Sequence, residues 1–184
     1  MIKFLKIRNV KDPERKDGNA GIDFFIPEID TDLINDISYE HQTLFSSINT
    51  IISGDKTKYF VIKPRERISI PGGIKCDIAL PDELSKFLNV ELKLEDKSSI
   101  ASKLGLTVCG GIIDPNYKGE IHFVLMNTTD KDIVLKSGQK IIQAVPVVYL
   151  NEEIKVVENE TEKDFYKNNK YNNRNGKGFG STGE

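Results

Sequence analysis

An aspartate ahead of a proline and three residues before a tyrosine, Asp114-Pro115-Asn116-Tyr117, is the stretch of this chain with the clearest chemical use. Asp suits the first position of a tight turn and Pro presets the φ of the second. The proline also drives Asp114 toward extended geometry and so limits how its carboxylate is aimed. A fixed acid beside an aromatic ring is a candidate site; the plain alternative is a surface turn that Asp114 merely caps. A second acid, Asp23, interrupts the apolar run Ala20–Pro27, where it is costly to bury unless something pairs with it. Its plain alternative is an outward-facing strand position. His41 and His122 are the only histidines, which leaves little material for a His-based metal site or a nucleophile–histidine triad. Cys76 and Cys109 lack metal-ligand spacing and sit in apolar strand patterns, as small core residues of a reducing compartment do.

The elements that must carry these residues read as strands. Leu106–Ile113 and Glu120–Met126 flank the Asp114 turn as the two arms of a hairpin. Residues 2–10 form an expected first strand, and Lys11–Asn19 a polar connection. Tyr59–Ile62 and Arg67–Ile70 are short strands separated by a turn, and Ile74, Cys76, Ile78 and Leu80 alternate with polar residues in period two. Pro81-Asp82-Glu83 opens a short expected helix through Leu84, Phe87 and Leu88. Val90, Leu92 and Leu94 resume the alternation, followed by Asp132–Leu135 and Lys140–Leu150, where Pro146 favours an edge position or a bulge. Many short strands and almost no helix indicate an all-β barrel or sandwich. Residues 28–58 give no convincing period and are expected as a long loop or insertion.

With 184 residues and 38% apolar content the chain can bury one respectable core, which predicts one domain, 1–158, and an appendage. Residues 159–184 are rich in Asn, Lys and Gly and too poor in apolar residues to fold alone, so they are expected as a flexible arm. A net charge of −2 argues against bulk attraction to nucleic acid or an anionic membrane, and any phosphate site must be local. No run approaches membrane-spanning length and no targeting signal is evident, so the expected location is cytoplasmic, or nuclear or otherwise inside a host cell.

Five segments in register resemble the trimeric deoxyuridine triphosphatase (dUTPase) family: Ala20-Gly-Ile-Asp23, Lys97-Ser-Ser-Ile-Ala101, Gly111-Ile-Ile-Asp-Pro-Asn-Tyr-Lys-Gly119, Gly138-Gln-Lys-Ile-Ile-Gln143 and Arg174-Asn-Gly-Lys-Gly-Phe-Gly-Ser-Thr-Gly183. The last is the most specific, and the resemblance covers most of the chain apart from residues 28–58. It implies a small distorted β-barrel of the jelly-roll, β-clip kind, assembled as a homotrimer with sites shared between chains. The implied reaction is hydrolysis of dUTP to dUMP and pyrophosphate with Mg²⁺.

The resemblance also implies roles. Asp114 would orient and deprotonate the water that attacks the α-phosphorus, since such transfers ask for an in-line nucleophile and little covalent help. Gly111, Ile112 and Ile113 would read uracil through main-chain groups, and Tyr117 would pack on the deoxyribose. Lys97, Ser98 and Ser99 would face the phosphates, the small serines allowing backbone N–H groups close approach. Asp23, and Gln143 with it, would meet the metal through water, because Mg²⁺ gives up its waters reluctantly. Arg174, Phe179, Gly180, Ser181 and Thr182 would close over the nucleotide. Ordering ten arm residues costs on the order of 10 kcal/mol of backbone entropy, whereas stacking Phe179 on a base returns only about 1 to 3 kcal/mol. Charge-assisted contacts to the γ-phosphate must therefore supply much of the rest.

Two departures stand out. Lys97, preceded by Asp96, occupies the place of a usual arginine and cannot offer its two-pronged fork. Gln139-Lys140 replaces an acid–arginine pair, which leaves the family's structural ion pair open. Alternative readings are deamination of dCTP in the same superfamily, and a nucleotide-binding regulatory protein that meets a protein partner through residues 28–58.

Overall fold

A computed structural model describes residues 1–40, 49–52, 58–152, 154, 156–158 and 161–167. In chain order the elements are β1 (Ile2–Lys6), β2 (Ile22–Phe25), α1 (Thr31–Glu40), β3 (Asn49–Ile52), β4 (Lys58–Ile62), β5 (Arg67–Pro71), β6 (Ile74–Ile78) and α2 (Asp82–Ser85). They continue with β7 (Leu88–Asp96), α3 (Ser98–Leu104), β8 (Leu106–Val108), β9 (Ile112–Ile113), β10 (His122–Asn127), β11 (Ile133–Lys136), β12 (Lys140–Leu150) and α4 (Glu162–Phe165). Two compact units result, Met1–Asn151 and Glu152–Glu184. The second contributes α4, whose start is capped by Thr161 Oγ1 accepting from the Asp164 N–H at 3.2 Å.

The expected all-β architecture is present. Among the described residues, four antiparallel sheets run β1-β6, β5-β10-β8, β11-β4-β3 and β2-β12-β7-β9. Period-two patterning drives them: Val90, Leu92 and Leu94 of β7 and Phe123 and Leu125 of β10 turn inward. Phe24 sits at the centre, edge-on to Phe4 at 5.4 Å and to Phe123 at 6.0 Å between ring centroids. Pro146 lies opposite Leu92 of β7, beyond the last residue of β12 that pairs with β2, so it takes the edge position expected of it. A register shift between Lys140 and Ile142 adds a bulge at the other end of β12.

Four expectations need correction. Residues 28–58 are not one long loop: they contain α1 and β3. Ile29, Leu33 and Ile37, four apart, all face the core, with Leu33 and Ile37 fully buried. Asp30 starts the helix, its carboxylate accepting from the Leu33 N–H at 2.8 Å. The hairpin about Asp114 is also broken, because β8 pairs with β10 while β9 crosses to β7. Gly110, at φ 73°, turns the chain between them in a conformation open to glycine. The helix after Pro81 ends at Ser85, leaving Phe87 exposed and Leu88 to open β7. The first strand stops at Lys6 rather than residue 10.

Candidate active site

Asp23, expected as a costly acid in an apolar run, is buried in β2 and paired twice. Lys97 Nζ donates to one carboxylate oxygen at 2.7 Å and Lys140 Nζ to the other at 2.9 Å. Burial pushes the Asp23 carboxyl up, but the hydrogen bonds and charges of the two lysines outweigh it and leave the group below its ordinary range. Lys140 also pairs with Glu14, and that contact, followed by Asp23, raises its own pKa. A bridge between the Glu14 and Asp23 backbones holds this polar segment against β2, with the Asp23 N–H donating to the Glu14 carbonyl at 2.7 Å. With glutamine at 139, Lys140 finds its ion-pair partners in Glu14 and Asp23. Glu14 was missed in the sequence because it lies in a polar connection with no period to mark it.

Gln143 stands opposite Asp23 across the β2–β12 pairing and opposite Glu95 across β7. Its Nε2 donates to the Asp96 carbonyl at 3.0 Å, and its Oε1 turns to Gly21, where an added Cβ would lie 2.5 Å from it. An acceptor oxygen thus faces the first of the five segments. Asp96 ends β7 and fastens β8 to it, accepting from the Val108 N–H at 2.6 Å and the Thr107 hydroxyl at 3.0 Å. Lys97, in extended geometry, precedes α3 with no side-chain cap; its ammonium goes to Asp23 instead. Ser98 and Ser99 form the exposed first turn of α3, where backbone N–H groups have no earlier carbonyl within the helix.

In the third segment, Gly111 lies against β7 so closely that a Cβ would stand 2.4 Å from the Leu94 carbonyl oxygen, and its own carbonyl accepts from the Leu94 N–H at 2.6 Å. Ile112 is exposed and Ile113 buried. Asp114-Pro115-Asn116-Tyr117 is a turn, as expected, closed by the Tyr117 N–H on the Asp114 carbonyl at 3.0 Å. The closure is made by backbone. The Asp114 carboxylate is exposed and takes no hydrogen bond or ion pair among the described residues. The half-exposed Tyr117 donates its hydroxyl to the Glu120 carbonyl at 2.7 Å.

One chain brings Asp23, Lys97 and Gln143 together and places Ser98 and Ser99 next in line. It does not bring Asp114 to them. Ile113 pairs with Leu92 and Ile112 with Lys93, so the Asp114 turn leaves toward the start of β7 while Lys97 follows its end. The span from Leu92 to Lys97 is about 17 Å at ordinary strand rise. Arg174, Phe179, Gly180, Ser181 and Thr182 lie outside the described residues. Among the described residues no group of three or more His, Cys, Asp or Glu side chains is arranged to hold a metal ion directly, and no helix is long and apolar enough to cross a membrane.

Solved structures share this fold. A variant of the Staphylococcus bacteriophage 80alpha dUTPase with dUpNHpp superposes with a TM-score of 0.65 at 21% identity, over 100% of this chain and 99% of that one. A dUTPase variant from phage phi11 of S. aureus, which coordinates a structural Mg(II) ion, gives 0.61 at 19% identity over 88% and 99%. The fold is the β-clip jelly roll. Sequence carries the assignment further: a family model described as dUTPase matches residues 93–183. The deoxyuridine 5'-triphosphate nucleotidohydrolase of Hydrogenobaculum sp. (strain Y04AAS1) is 36% identical over 125 residues, 67% of this chain and 75% of that protein. Its counterpart in Finegoldia magna is 33% identical over 124 residues, 66% and 75%. The chain belongs to the dUTPase family.

Proposed function

We propose that this protein hydrolyses dUTP to dUMP and pyrophosphate, with Asp114 as the base. The observation that carries the reading is the exposed Asp114 carboxylate, left without a structural partner among the described residues on a turn that the backbone closes for itself. A merely capping aspartate would spend its oxygens on the turn. In this reading Asp114 takes a proton from water as the water oxygen bonds to the α-phosphorus. The bond from that phosphorus to the bridging oxygen breaks, and pyrophosphate leaves with the electron pair.

Main-chain groups of Gly111, Ile112 and Ile113 read the uracil, supported by the fixed seat of Gly111 on Leu94. Tyr117 packs its ring on the deoxyribose, where a 2′-hydroxyl would lose hydration without gaining a partner. Lys97, Ser98 and Ser99 meet the phosphates, the serines from the exposed first turn of α3. The resemblance assigns Arg174, Phe179, Gly180, Ser181 and Thr182, which lie outside the described residues, to the nucleotide as well.

A magnesium ion bound with the substrate would neutralise charge on the triphosphate. The donor set suits a hydrated ion and not a protein cage, because both Asp23 oxygens are already taken by Lys97 and Lys140, Gln143 adds a single amide oxygen beside Gly21, and among the described residues no group of three or more His, Cys, Asp or Glu side chains could hold the ion directly. Asp23 and Gln143 would accept from its waters. The resemblance implies a homotrimer, and the distance along β7 between the Asp114 turn and Lys97 fits one in which one subunit supplies the base and uracil contacts and another the phosphate contacts.

The experiment is pyrophosphate release from dUTP, dCTP, dTTP and UTP, with and without Mg²⁺, for the wild type and Asp114→Asn. Strong preference for dUTP is expected. The variant should lose about 10²- to 10⁴-fold in kcat while its stability stays within about 0.5 kcal/mol of wild type. Ammonia release from dCTP, or an Asp114→Asn protein of undiminished rate, overturns the proposal.

A further inference from the structure

Tyr117 does not reach its position alone. Its hydroxyl is tied to the Glu120 carbonyl at 2.7 Å, so the tilt of the ring depends on where residue 120 is held. The Glu120 side chain, little exposed, is gripped from two sides. One carboxylate oxygen accepts from Arg8 Nε at 2.8 Å and from the Gly73 N–H at 2.7 Å, and the other accepts from Arg8 Nη2 at 3.1 Å. Arg8 in turn is fixed by its neighbourhood, since the adjacent Ile7 N–H donates to the Gly73 carbonyl at 2.8 Å. Arg8 Nη2 also donates to Asp36 of α1 at 2.5 Å. Segments around residues 8, 36, 73 and 120 therefore converge behind one tyrosine.

A surface turn needs no such support. Hydrophobic packing would anchor residue 120 at less desolvation cost than a half-buried ion pair, but packing does not fix direction as a planar two-pronged guanidinium–carboxylate contact does. Direction is what a ring set against a sugar requires, because rejecting one hydroxyl depends on leaving it no room and no partner.

We infer that Arg8 and Glu120 are positioning residues for sugar discrimination: their two-pronged contact fixes the carbonyl that anchors the Tyr117 hydroxyl, and Asp36 links that anchor to α1. The inference rests on the assignment of Tyr117 to the deoxyribose made above. Neither residue touches the nucleotide; both act through Tyr117.

The test compares kcat/KM for dUTP and for UTP in full-length protein carrying Arg8→Lys, Glu120→Gln, Tyr117→Phe, Tyr117→Ala or the double change Arg8→Lys with Tyr117→Phe, with thermal unfolding of each. Arg8→Lys keeps the charge and loses the fork. Its preference for dUTP over UTP should fall about ten-fold, mainly through a lower KM for UTP. Tyr117→Phe removes the anchored hydroxyl and should do the same. The double variant should lose no more than either single one, since both cut the same link, whereas a general loosening of structure would add. Glu120→Gln keeps an acceptor for the Gly73 N–H and serves if Arg8→Lys does not fold. If Tyr117→Ala abolishes discrimination while Arg8→Lys and Glu120→Gln stay within about two-fold of wild type, the inference fails and the Tyr117 assignment stands. If Tyr117→Ala itself leaves discrimination intact, the sugar assignment fails and takes the inference with it.

Discussion

Lys140 Nζ lies 2.9 Å from one carboxylate oxygen of Asp23, and Lys97 occupies the other. With Glu14 on the far side of Lys140, two acids and two ammonium groups balance within one cluster. That balance explains how β2 carries a buried acid among Ile22, Phe24 and Phe25.

The pH dependence of stability follows from the same cluster. Asp23 is held below its ordinary carboxylate range in the folded protein, so near neutrality it is ionised in both states and its pairing contributes in full. As pH falls through about 4, the unfolded chain takes up the proton first and the contribution drains away, to be lost once pH passes below the folded value. Wild-type thermal stability should therefore fall more steeply between pH 5 and acid conditions than that of Asp23→Asn, which has no proton to take up there. Equal slopes in a pH series of melting curves would contradict the depressed pKa.

Gly111→Ala tests the seat of the third segment. An added Cβ would stand 2.4 Å from the Leu94 carbonyl oxygen, a backbone atom that cannot swing aside, so β9 must lift from β7. The expected cost is about 1 to 3 kcal/mol. Because the same backbone is assigned to uracil, KM for dUTP should rise further than the loss of stability would suggest. A variant with unchanged melting temperature and KM would show that this approach is not needed.

Part of this was legible in the residues and part was not. Asp23 declared itself as an acid in an apolar run, but its partners lie 74 and 117 residues away, and no local pattern names them. The strand alternation of β7 read directly because burial on one face writes a period of two, whereas β12 buries Ile141 and Ile142 side by side. The arms about Asp114 read as one hairpin because β-formers flank Gly110-Gly111 on both sides, and it is at this glycine pair, itself a turn signal, that the chain passes from one neighbour strand to another. In residues 28–58 the signal was present and went unread: Asp30 as a cap three residues before Leu33, then Leu33 and Ile37 four apart amid Asp and Asn. Arg8 and Glu120 left no mark, since an ion pair between residues 112 apart has no sequence period.

Asn127 is a polar residue whose importance only the structure reveals. It is fully buried at the end of β10, and its Nδ2 donates to the carbonyls of Ile62, Lys63 and Lys131 at 3.1, 3.0 and 2.8 Å. Its Oδ1 accepts from the N–H and the hydroxyl of Thr129. Asn127→Ala would strand several of these groups and should destabilise the protein by about 2 to 4 kcal/mol. Denaturant midpoints should show it, with kcat of the folded fraction nearly unchanged because no assigned site residue is among its partners. A loss of kcat without a shift in midpoint would place Asn127 in the site instead.

Helix α1 packs its apolar face into the core. If residues 28–58 were only a contact surface for a partner, removing apolar side chains from them would leave the isolated protein intact. Leu33 and Ile37 are instead fully buried and belong to the same core as Phe24, Ile70 and Phe123. Leu33→Ala should therefore cost about 2 to 5 kcal/mol, the transfer of the lost methyl groups plus the cavity they leave. Because Asp36 on the same helix grips Arg8, the variant should also lose some preference for dUTP over UTP before it unfolds, measured at a temperature well below its midpoint. Thermal unfolding of purified Leu33→Ala decides the first point; a midpoint equal to wild type would return α1 to the role of a detachable surface element.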